Sequence, residues 1–147
     1  MTNYLRNLPI PEPFILALPV GLLLHILAPS ALLPSFREQA VLGLAMVMLA
    51  LALTAWSLVA VGRTHLAQPS QLVTAGPYRF SRNPMYLSWT GLAGGLAVLL
   101  NSLWIILAGL AAWVYLQLVS IPAEERSLEK MFGPAYDEYR RHVRRWL

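Results

Sequence analysis

The chain contains no cysteine and few charged residues. None of its 147 residues is a cysteine, which excludes a disulfide framework, a thiolate zinc site and a cysteine nucleophile. Only 12% of the residues are charged, against roughly 25% in an average soluble domain. Hydrophobic residues make up 57% of the chain. This composition excludes a disordered chain and favours a single membrane-embedded domain over residues 1–147.

Three long segments contain no Asp, Glu, Lys or Arg. The first two, residues 14–33 and 39–62, each reach the roughly 20 residues that a helix needs to cross a bilayer. Residues 84–123 would form a helix of about 60 Å, twice the thickness of a hydrocarbon core, so we expect a turn at Asn101-Ser102. The sequence therefore predicts an all-α integral membrane protein with about four transmembrane helices, of which the last two form a helical hairpin: residues 14–33, 40–61, 84–100 and 103–121.

The first of these segments is the least regular. It contains Pro19, and the pair Pro29-Ser30 is expected to end or kink its helix early. The apolar stretch is too long for a secretory signal, so we expect it to be retained. His25 lies on an otherwise apolar helix, where a polar residue raises a functional question. Because no partner for His25 is evident, a role in helix packing is favoured over a catalytic one.

Charge placement predicts the orientation of the helices. If the N-terminus is cytoplasmic, only Arg37 lies on the outer side. The positive-inside rule therefore places both termini and the loop over residues 63–83 in the cytoplasm, and we expect a prokaryotic plasma membrane. The net positive charge is thus a signal of topology, with no nucleic-acid partner expected. The cytoplasmic bases are Arg6, Arg63, Arg79, Arg82, Arg126, Lys130, Arg140, Arg141, Arg144 and Arg145.

Two polar segments on this side must carry any chemistry. The first runs from residue 63 to residue 86. The second, residues 120–147, is predicted to form cytoplasmic amphipathic helices from residue 122 onward, with a break at Gly133-Pro134. Its arginines fit a basic helix lying on an anionic leaflet. That interpretation leaves the adjacent pair Glu124-Glu125 unexplained, because two carboxylates at the exit of a membrane span are costly unless paired or used.

Two sequence blocks resemble a known family. Residues 72–87 read LVTAGPYRFSRNPMYL, and about 40 residues later the chain reads EERSL over residues 124–128 and FGPAY over residues 132–136. In this order and spacing they resemble the isoprenylcysteine carboxyl methyltransferase and phospholipid methyltransferase superfamily, with the similarity covering residues 68–146. The resemblance implies an S-adenosylmethionine-dependent methyltransferase built from membrane helices, with a lipophilic, membrane-partitioned small-molecule acceptor that enters from the membrane lipids.

The resemblance also implies roles for individual residues. Arg82 would orient the acceptor and is the candidate catalytic residue, together with Glu125, which would brace an arginine. A sulfonium and an α-ammonium favour a carboxylate and aromatic faces, which Glu124 and the tyrosines supply. No metal is implied. The cofactor-binding residues would be Gln71, Leu72, Val73, Tyr78, Asn83, Pro84, Met85, Tyr86 and Glu124, and the substrate-binding residues Arg79, Ser120 and His142. The competing interpretation is that Arg79, Arg82 and Arg126 only anchor helices at the headgroups.

Three positions depart from the family pattern. Asn83 stands where many members have histidine, and it cannot act as a base near neutral pH. Ser120 stands where the prenylcysteine enzymes have arginine, and His142 occupies the basic position before Val143. An amine acceptor would need a base, and His65, His142 and the glutamates are the nearby candidates. We therefore favour an acidic acceptor, a carboxylate on an isoprenylcysteine or another lipid.

Two other functions stay open on the sequence alone. The same architecture resembles the C-terminal half of sterol reductases, which use NADPH. A non-enzymatic lipid-binding subunit is the other alternative. The glycines Gly91, Gly94 and Gly95 are expected to serve close helix packing rather than nucleotide contact, and the spacing of Gly91 and Gly95 suits packing either within one chain or in a homo-oligomer.

Overall fold

The computed structural model describes residues 12–34, 38–67 and 71–147, including the side chains of all of these except residues 63–67. Arg6 and Arg37 lie outside the described residues, as do the side chains of Arg63 and His65. All regular structure in the described part of the chain is helical. The helices are α1 (Glu12–Leu27), α2 (Gln39–Ala67), a 3₁₀ turn (Gly76–Arg79), α3 (Pro84–Leu99), α4 (Leu103–Tyr115), a π-helical segment (Leu116–Ser120), α5 (Ile121–Phe132) and α6 (Pro134–His142).

The predicted hairpin turn is confirmed between α3 and α4. Asn101 adopts a positive φ of 48°, which asparagine tolerates better than most residues. Ser102 then caps α4, because its side chain accepts a hydrogen bond from the backbone N–H of Ile105. The long uncharged segment therefore folds back at its only central polar pair.

The first helix is shorter than the predicted span over residues 14–33. The helix ends at Leu27, directly before Ala28-Pro29. The expectation that Pro29-Ser30 would end the helix early is therefore confirmed. The chain beyond it is held against the α3–α4 turn. Asn101 Oδ1 accepts hydrogen bonds from the backbone N–H groups of Leu32 and Leu33 at 3.1 and 2.9 Å. The α1–α2 connection and the hairpin turn therefore lie at the same end of the molecule.

In the described part of the chain, two helices are long and apolar enough to cross a membrane. One is Gln39–Gly62 of α2, and the other is the continuous helix Leu103–Phe132, which joins α4, the π-helical segment and α5. The helices α1 and α3 have 16 residues each, or about 24 Å of helix, less than a hydrocarbon core of about 30 Å. Many large apolar side chains of α1, α2 and α4 are exposed, as expected for surfaces that face lipid.

Glycines set the distance between neighbouring helices. A Cβ at Gly95 would lie 2.9 Å from the backbone nitrogen of Val47, and one at Gly43 would lie 2.5 Å from that of Leu99. Between α1 and α4, a Cβ at Gly21 would lie 3.0 Å from the Cα of Ile105. These contacts bring the backbones of α2 and α3, and of α1 and α4, together. The expected packing role of the glycines in α3 is confirmed most directly at Gly95.

The C-terminal half differs from the prediction in two ways. A separate helix was expected from residue 122, but α5 continues α4 through the π-helical segment, in which the N–H of Ile121 bonds to the carbonyl of Leu116. The wider turn fits Pro122, whose ring would clash with a regular helix. The predicted break is confirmed at Gly133, which has a φ of +50°. The expected amphipathic helix over residues 135–146 ends at His142, and Val143 is extended.

We predict that Gly43→Ala destabilises the protein by about 1–3 kcal/mol, because the new methyl group meets the backbone of Leu99. Gly62→Ala is the matched control in the same helix, since a Cβ there meets no atom of the described residues within 4 Å. The control should be neutral or stabilising by up to about 1 kcal/mol. Thermal unfolding in detergent measures both variants. Equal melting temperatures for the two variants would contradict the proposed close approach of α2 and α3.

Candidate active site

The two polar segments meet at the end of the molecule opposite the hairpin turn. The loop over residues 71–83 leads into α3, and the first turns of α3 face α5, as the 2.9 Å hydrogen bond from Tyr86 to Glu124 shows. The chain after α6 returns to the same loop, where the N–H of Arg82 bonds to the carbonyl of Arg144 at 2.9 Å. Residues distant in sequence therefore form one polar cluster.

The loop is anchored on α2 by a buried tyrosine. Tyr78 lies in the 3₁₀ turn and packs with Ala60, Val61 and the partly buried Val73. Gly76 starts the turn with a φ of +60°, and a Cβ there would lie 3.0 Å from that of Ala60. Glycine suits this position because it combines a positive φ with a close approach to the helix. The loop backbone is thereby held beside the start of α3.

Glu124 is a carboxylate that has no cationic partner among the described side chains. It is partly buried, and the hydroxyl of the buried Tyr86 donates a hydrogen bond to its Oε2 at 2.9 Å. Among the described side chains, no basic nitrogen lies within 4.0 Å of it. A carboxylate that is partly removed from water attracts a positive charge strongly. The position therefore fits a cationic ligand group, with the ring of Tyr86 beside it.

Glu125, the next residue, has two arginine partners. Arg145 binds Glu125 in a bidentate contact, with Nε–Oε1 at 3.1 Å and Nη2–Oε2 at 2.6 Å. Arg82 Nη1 lies 3.1 Å from the same Oε1. The side chains of Arg82 and Glu125 are only 15% and 22% exposed, so water screens this pair less than a surface ion pair. The group formed by Arg82, Arg145 and Glu125 therefore carries one net positive charge.

Arg82 keeps one edge of its guanidinium group free. Its Nη1 is occupied, since it bonds both to Glu125 and to the hydroxyl of Tyr136 at 3.3 Å. Its Nε is buried and has no hydrogen-bond partner among the described residues. The Nε and Nη2 groups point the same way and form the fork that binds a carboxylate or phosphate in two places. The contacts of Nη1 therefore orient Arg82, and the edge formed by Nε and Nη2 could bind an anion.

Three tyrosines surround these charges as neutral hydroxyl groups. Tyr136 is 1% exposed, and the hydroxyl of Tyr139 donates a 2.7 Å hydrogen bond to the carbonyl of Tyr78. Burial raises the pKa of the Tyr78, Tyr136 and Tyr139 hydroxyls, and the charge of Glu124 further raises that of Tyr78. They therefore remain protonated near neutral pH and act as fixed hydrogen-bond partners.

Residues 143–147, which we call the C-terminal segment, complete the cluster. The carbonyl of Arg145 accepts hydrogen bonds from Asn83 Nδ2 at 3.0 Å and from Ser81 Oγ at 3.2 Å. Trp146 packs against the buried cluster that contains Tyr86. The sequence analysis missed this contribution, because the Arg-Arg-Trp run fits a lipid anchor equally well. It also did not anticipate that the amide of Asn83 would hold a backbone carbonyl.

The other predicted site residues differ in burial and in their contacts. Pro84 and Met85 are buried at the start of α3, Leu72 is partly buried, and Gln71 is exposed. The side chains of the three predicted substrate-binding residues make no hydrogen bond or ion pair with the side chains of Arg82, Glu124 or Glu125 within the described structure. Arg79 is exposed, Ser120 is partly buried in the π-helical segment, and the exposed His142 lies with its Nδ1 2.9 Å from the backbone oxygen of Glu138.

The fold and the site together define an all-helical protein, with two helices able to cross a membrane and a charged cluster at one end. The family model described as phospholipid methyltransferase matches residues 39–135, well over half of the chain. The chain is also 30% identical, over 93% of its length and 76% of the relative's, to a probable protein-S-isoprenylcysteine O-methyltransferase of Oryza sativa subsp. indica. The chain therefore belongs to the phospholipid methyltransferase family.

A further relative is the protein-S-isoprenylcysteine O-methyltransferase of Dictyostelium discoideum. It is 34% identical over 54% of this chain and 36% of its own length. No solved structure gives a significant match. The family that the two sequence blocks resembled is thus confirmed, and the matched region includes every predicted site residue except His142.

We predict that Tyr86→Phe destabilises the protein by about 1–3 kcal/mol, because the Glu124 carboxylate loses its hydrogen-bond donor. Tyr115→Phe is the control, since Tyr115 is 51% exposed, and its effect should stay within about 0.5 kcal/mol. Thermal unfolding in detergent compares the two. If both variants unfold at the wild-type temperature, the hydrogen bond between α3 and α5 does not contribute to the fold.

Proposed function

We propose that the protein is an integral membrane methyltransferase that uses S-adenosylmethionine to methylate the carboxylate of a lipophilic acceptor. One observation carries the proposal: Glu124, which has no cationic partner among the described side chains, directly precedes Glu125. Glu125 in turn pairs with Arg82, whose Nε has no hydrogen-bond partner among the described residues. The site thus offers a position for a cation next to a position for an anion. The relatives' names support the acceptor class, since they are O-methyltransferases of isoprenylcysteine.

The residues around Glu124 fit the proposed methyl donor. Its carboxylate and the ring of Tyr86 would face the sulfonium or the α-ammonium group, and the buried Tyr78 lies close enough for the charge of Glu124 to raise its pKa. The backbone of Leu72 and Val73 with Gln71, and the Asn83-Pro84-Met85 turn, would line the remainder. When bound, S-adenosylmethionine supplies an electrophilic methyl group: its carbon–sulfur bond breaks as a bond to the acceptor oxygen forms, leaving a neutral thioether.

Arg82 would hold the acceptor through its free edge. A carboxylate is ionised near neutral pH, so this acceptor needs no general base, in agreement with an asparagine at position 83. The Nε of Arg82 would gain the hydrogen-bond partner that it lacks among the described residues. Glu125 and Tyr136 keep the guanidinium from rotating. The contribution of the protein is thus alignment of the two reactants in a site with little water.

The membrane location follows from the same features. The helices Gln39–Gly62 and Leu103–Phe132 would span the bilayer, with the shorter α1 and α3 packed beside them. The distribution of arginines supports a site at the cytoplasmic face. A lipophilic acceptor would then reach Arg82 from the bilayer, whereas S-adenosylmethionine would arrive from the cytoplasm.

We predict that S-adenosylmethionine and S-adenosylhomocysteine raise the melting temperature of the detergent-purified protein and that NADPH does not. Glu124→Gln should weaken the affinity for S-adenosylmethionine by about tenfold or more, because a charge-assisted contact is lost. Glu138→Gln is the control, since Glu138 is exposed and pairs on its own helix with Arg141. Stabilisation by NADPH alone would indicate a reductase, and no response to the three ligands would overturn the proposal.

We predict that Arg82→Ala lowers methyl transfer by about a hundredfold or more while S-adenosylhomocysteine still binds, because only the acceptor loses its alignment. The assay follows the labelled methyl group from S-adenosylmethionine to N-acetyl-S-farnesylcysteine. The corresponding amide, which has no carboxylate, should not be methylated. Arg141→Ala is the control, as Arg141 is exposed and pairs with Glu138. Full activity of Arg82→Ala would remove Arg82 from the site.

A further inference from the structure

Arg145 binds Glu125 and has no role in the proposed function. We propose that Arg145 is a positioning residue: it holds Glu125 so that Glu125 orients Arg82 without occupying the edge of Arg82 that binds the acceptor. This inference rests on the proposed function and adds to it the device that keeps Arg82 available. The observation behind it is that two arginines share the carboxylate of Glu125: Arg145 binds it through two nitrogens and Arg82 through one.

The two contacts divide the oxygens of Glu125. Arg145 takes both, at 3.1 and 2.6 Å, in the parallel arrangement that is strong and geometrically specific. Arg82 reaches only Oε1, and with Nη1 alone. The carboxylate is therefore fixed in the plane of Arg145 and presents a single oxygen to Arg82. A single-oxygen contact directs the guanidinium and leaves its buried Nε without a hydrogen-bond partner among the described residues.

Removal of Arg145 would change this division. Glu125 would keep its charge and lose its stronger partner, and its second oxygen would become free to bond. Arg82, whose Nη1 already lies 3.1 Å from Oε1 of Glu125, has a buried Nε without a partner among the described residues. A fork between Glu125 and Arg82 would satisfy both groups. The acceptor carboxylate would then have to compete with Glu125 for the same donors.

The position of Arg145 does not depend on its own side chain. The carbonyl groups of Arg144 and Arg145 accept hydrogen bonds from Arg82, Asn83 and Ser81. Trp146 adds apolar contact with the buried cluster that includes Tyr86. The C-terminal segment should therefore stay in place when the guanidinium of Arg145 is replaced, which makes the proposed role separable from folding.

The test compares Arg145→Gln, Glu125→Gln and the double variant with the wild type, using N-acetyl-S-farnesylcysteine as acceptor. Arg145→Gln should raise the KM for the acceptor by about tenfold, with the affinity for S-adenosylhomocysteine unchanged. Adding Glu125→Gln should bring the KM part of the way back toward the wild-type value, because the competitor for Arg82 is gone although Arg82 also loses the contact that orients it. Arg145→Lys, which restores a charge without the fork, should lie between wild type and Arg145→Gln.

Arg141→Gln is the matched control, an exposed arginine on α6 that pairs with Glu138. A merely structural role for Arg145 would give the opposite double-variant result, since removing a second member of the cluster would leave the KM as high or raise it further. An unchanged KM in Arg145→Gln, or no recovery in the double variant, overturns the positioning role alone. Absence of methyl transfer by the wild type overturns the proposed function and this role with it.

Discussion

A carboxylate at the end of an apolar helix must find compensating charge or hydrogen-bond donors, and α5 carries two carboxylates side by side. Glu125 is compensated twice, by Arg82 and by Arg145. Glu124 receives only the hydroxyl of Tyr86 among the described residues. The proposed function depends on this difference between the two glutamates. Glu124 is left for a cation, and Glu125 orients Arg82 for an anion, so the two proposed positions are adjacent.

The helical frame makes that inequality possible. Glycines bring α2 close to α3 and α1 close to α4. The start of α3 lies against the long helix Leu103–Phe132, as the hydrogen bond from Tyr86 to Glu124 shows. The π-helical segment then accommodates Pro122 and continues the helix to the glutamates, as such segments often do at functional sites. The positive φ of Gly133 turns the chain into α6, where the hydroxyl of Tyr136 accepts a hydrogen bond from Arg82.

The C-terminal segment links the parts of this arrangement. It connects to the loop over residues 81–83 through backbone carbonyls, to α5 through the side chain of Arg145, and to the buried cluster through Trp146. Arginines 144 and 145 are neighbours with different environments: Arg144 is exposed, and Arg145 forms a forked ion pair. A basic run that resembles a lipid anchor therefore also contributes one arginine to the site.

The sequence by itself determined the features that depend on near neighbours: the helical class, the turn at Asn101-Ser102, the early end of α1 before Pro29, the break at Gly133 and the two blocks that identify the family. Only the tertiary structure decided that α5 continues α4, that Asn83 holds a backbone carbonyl, and that Arg145 is the partner of Glu125. The physical reason is distance along the chain. Propensity and hydrophobic period act over a few residues, whereas the contacts of Asn83 with Arg145 and of Tyr86 with Glu124 join residues 62 and 38 positions apart.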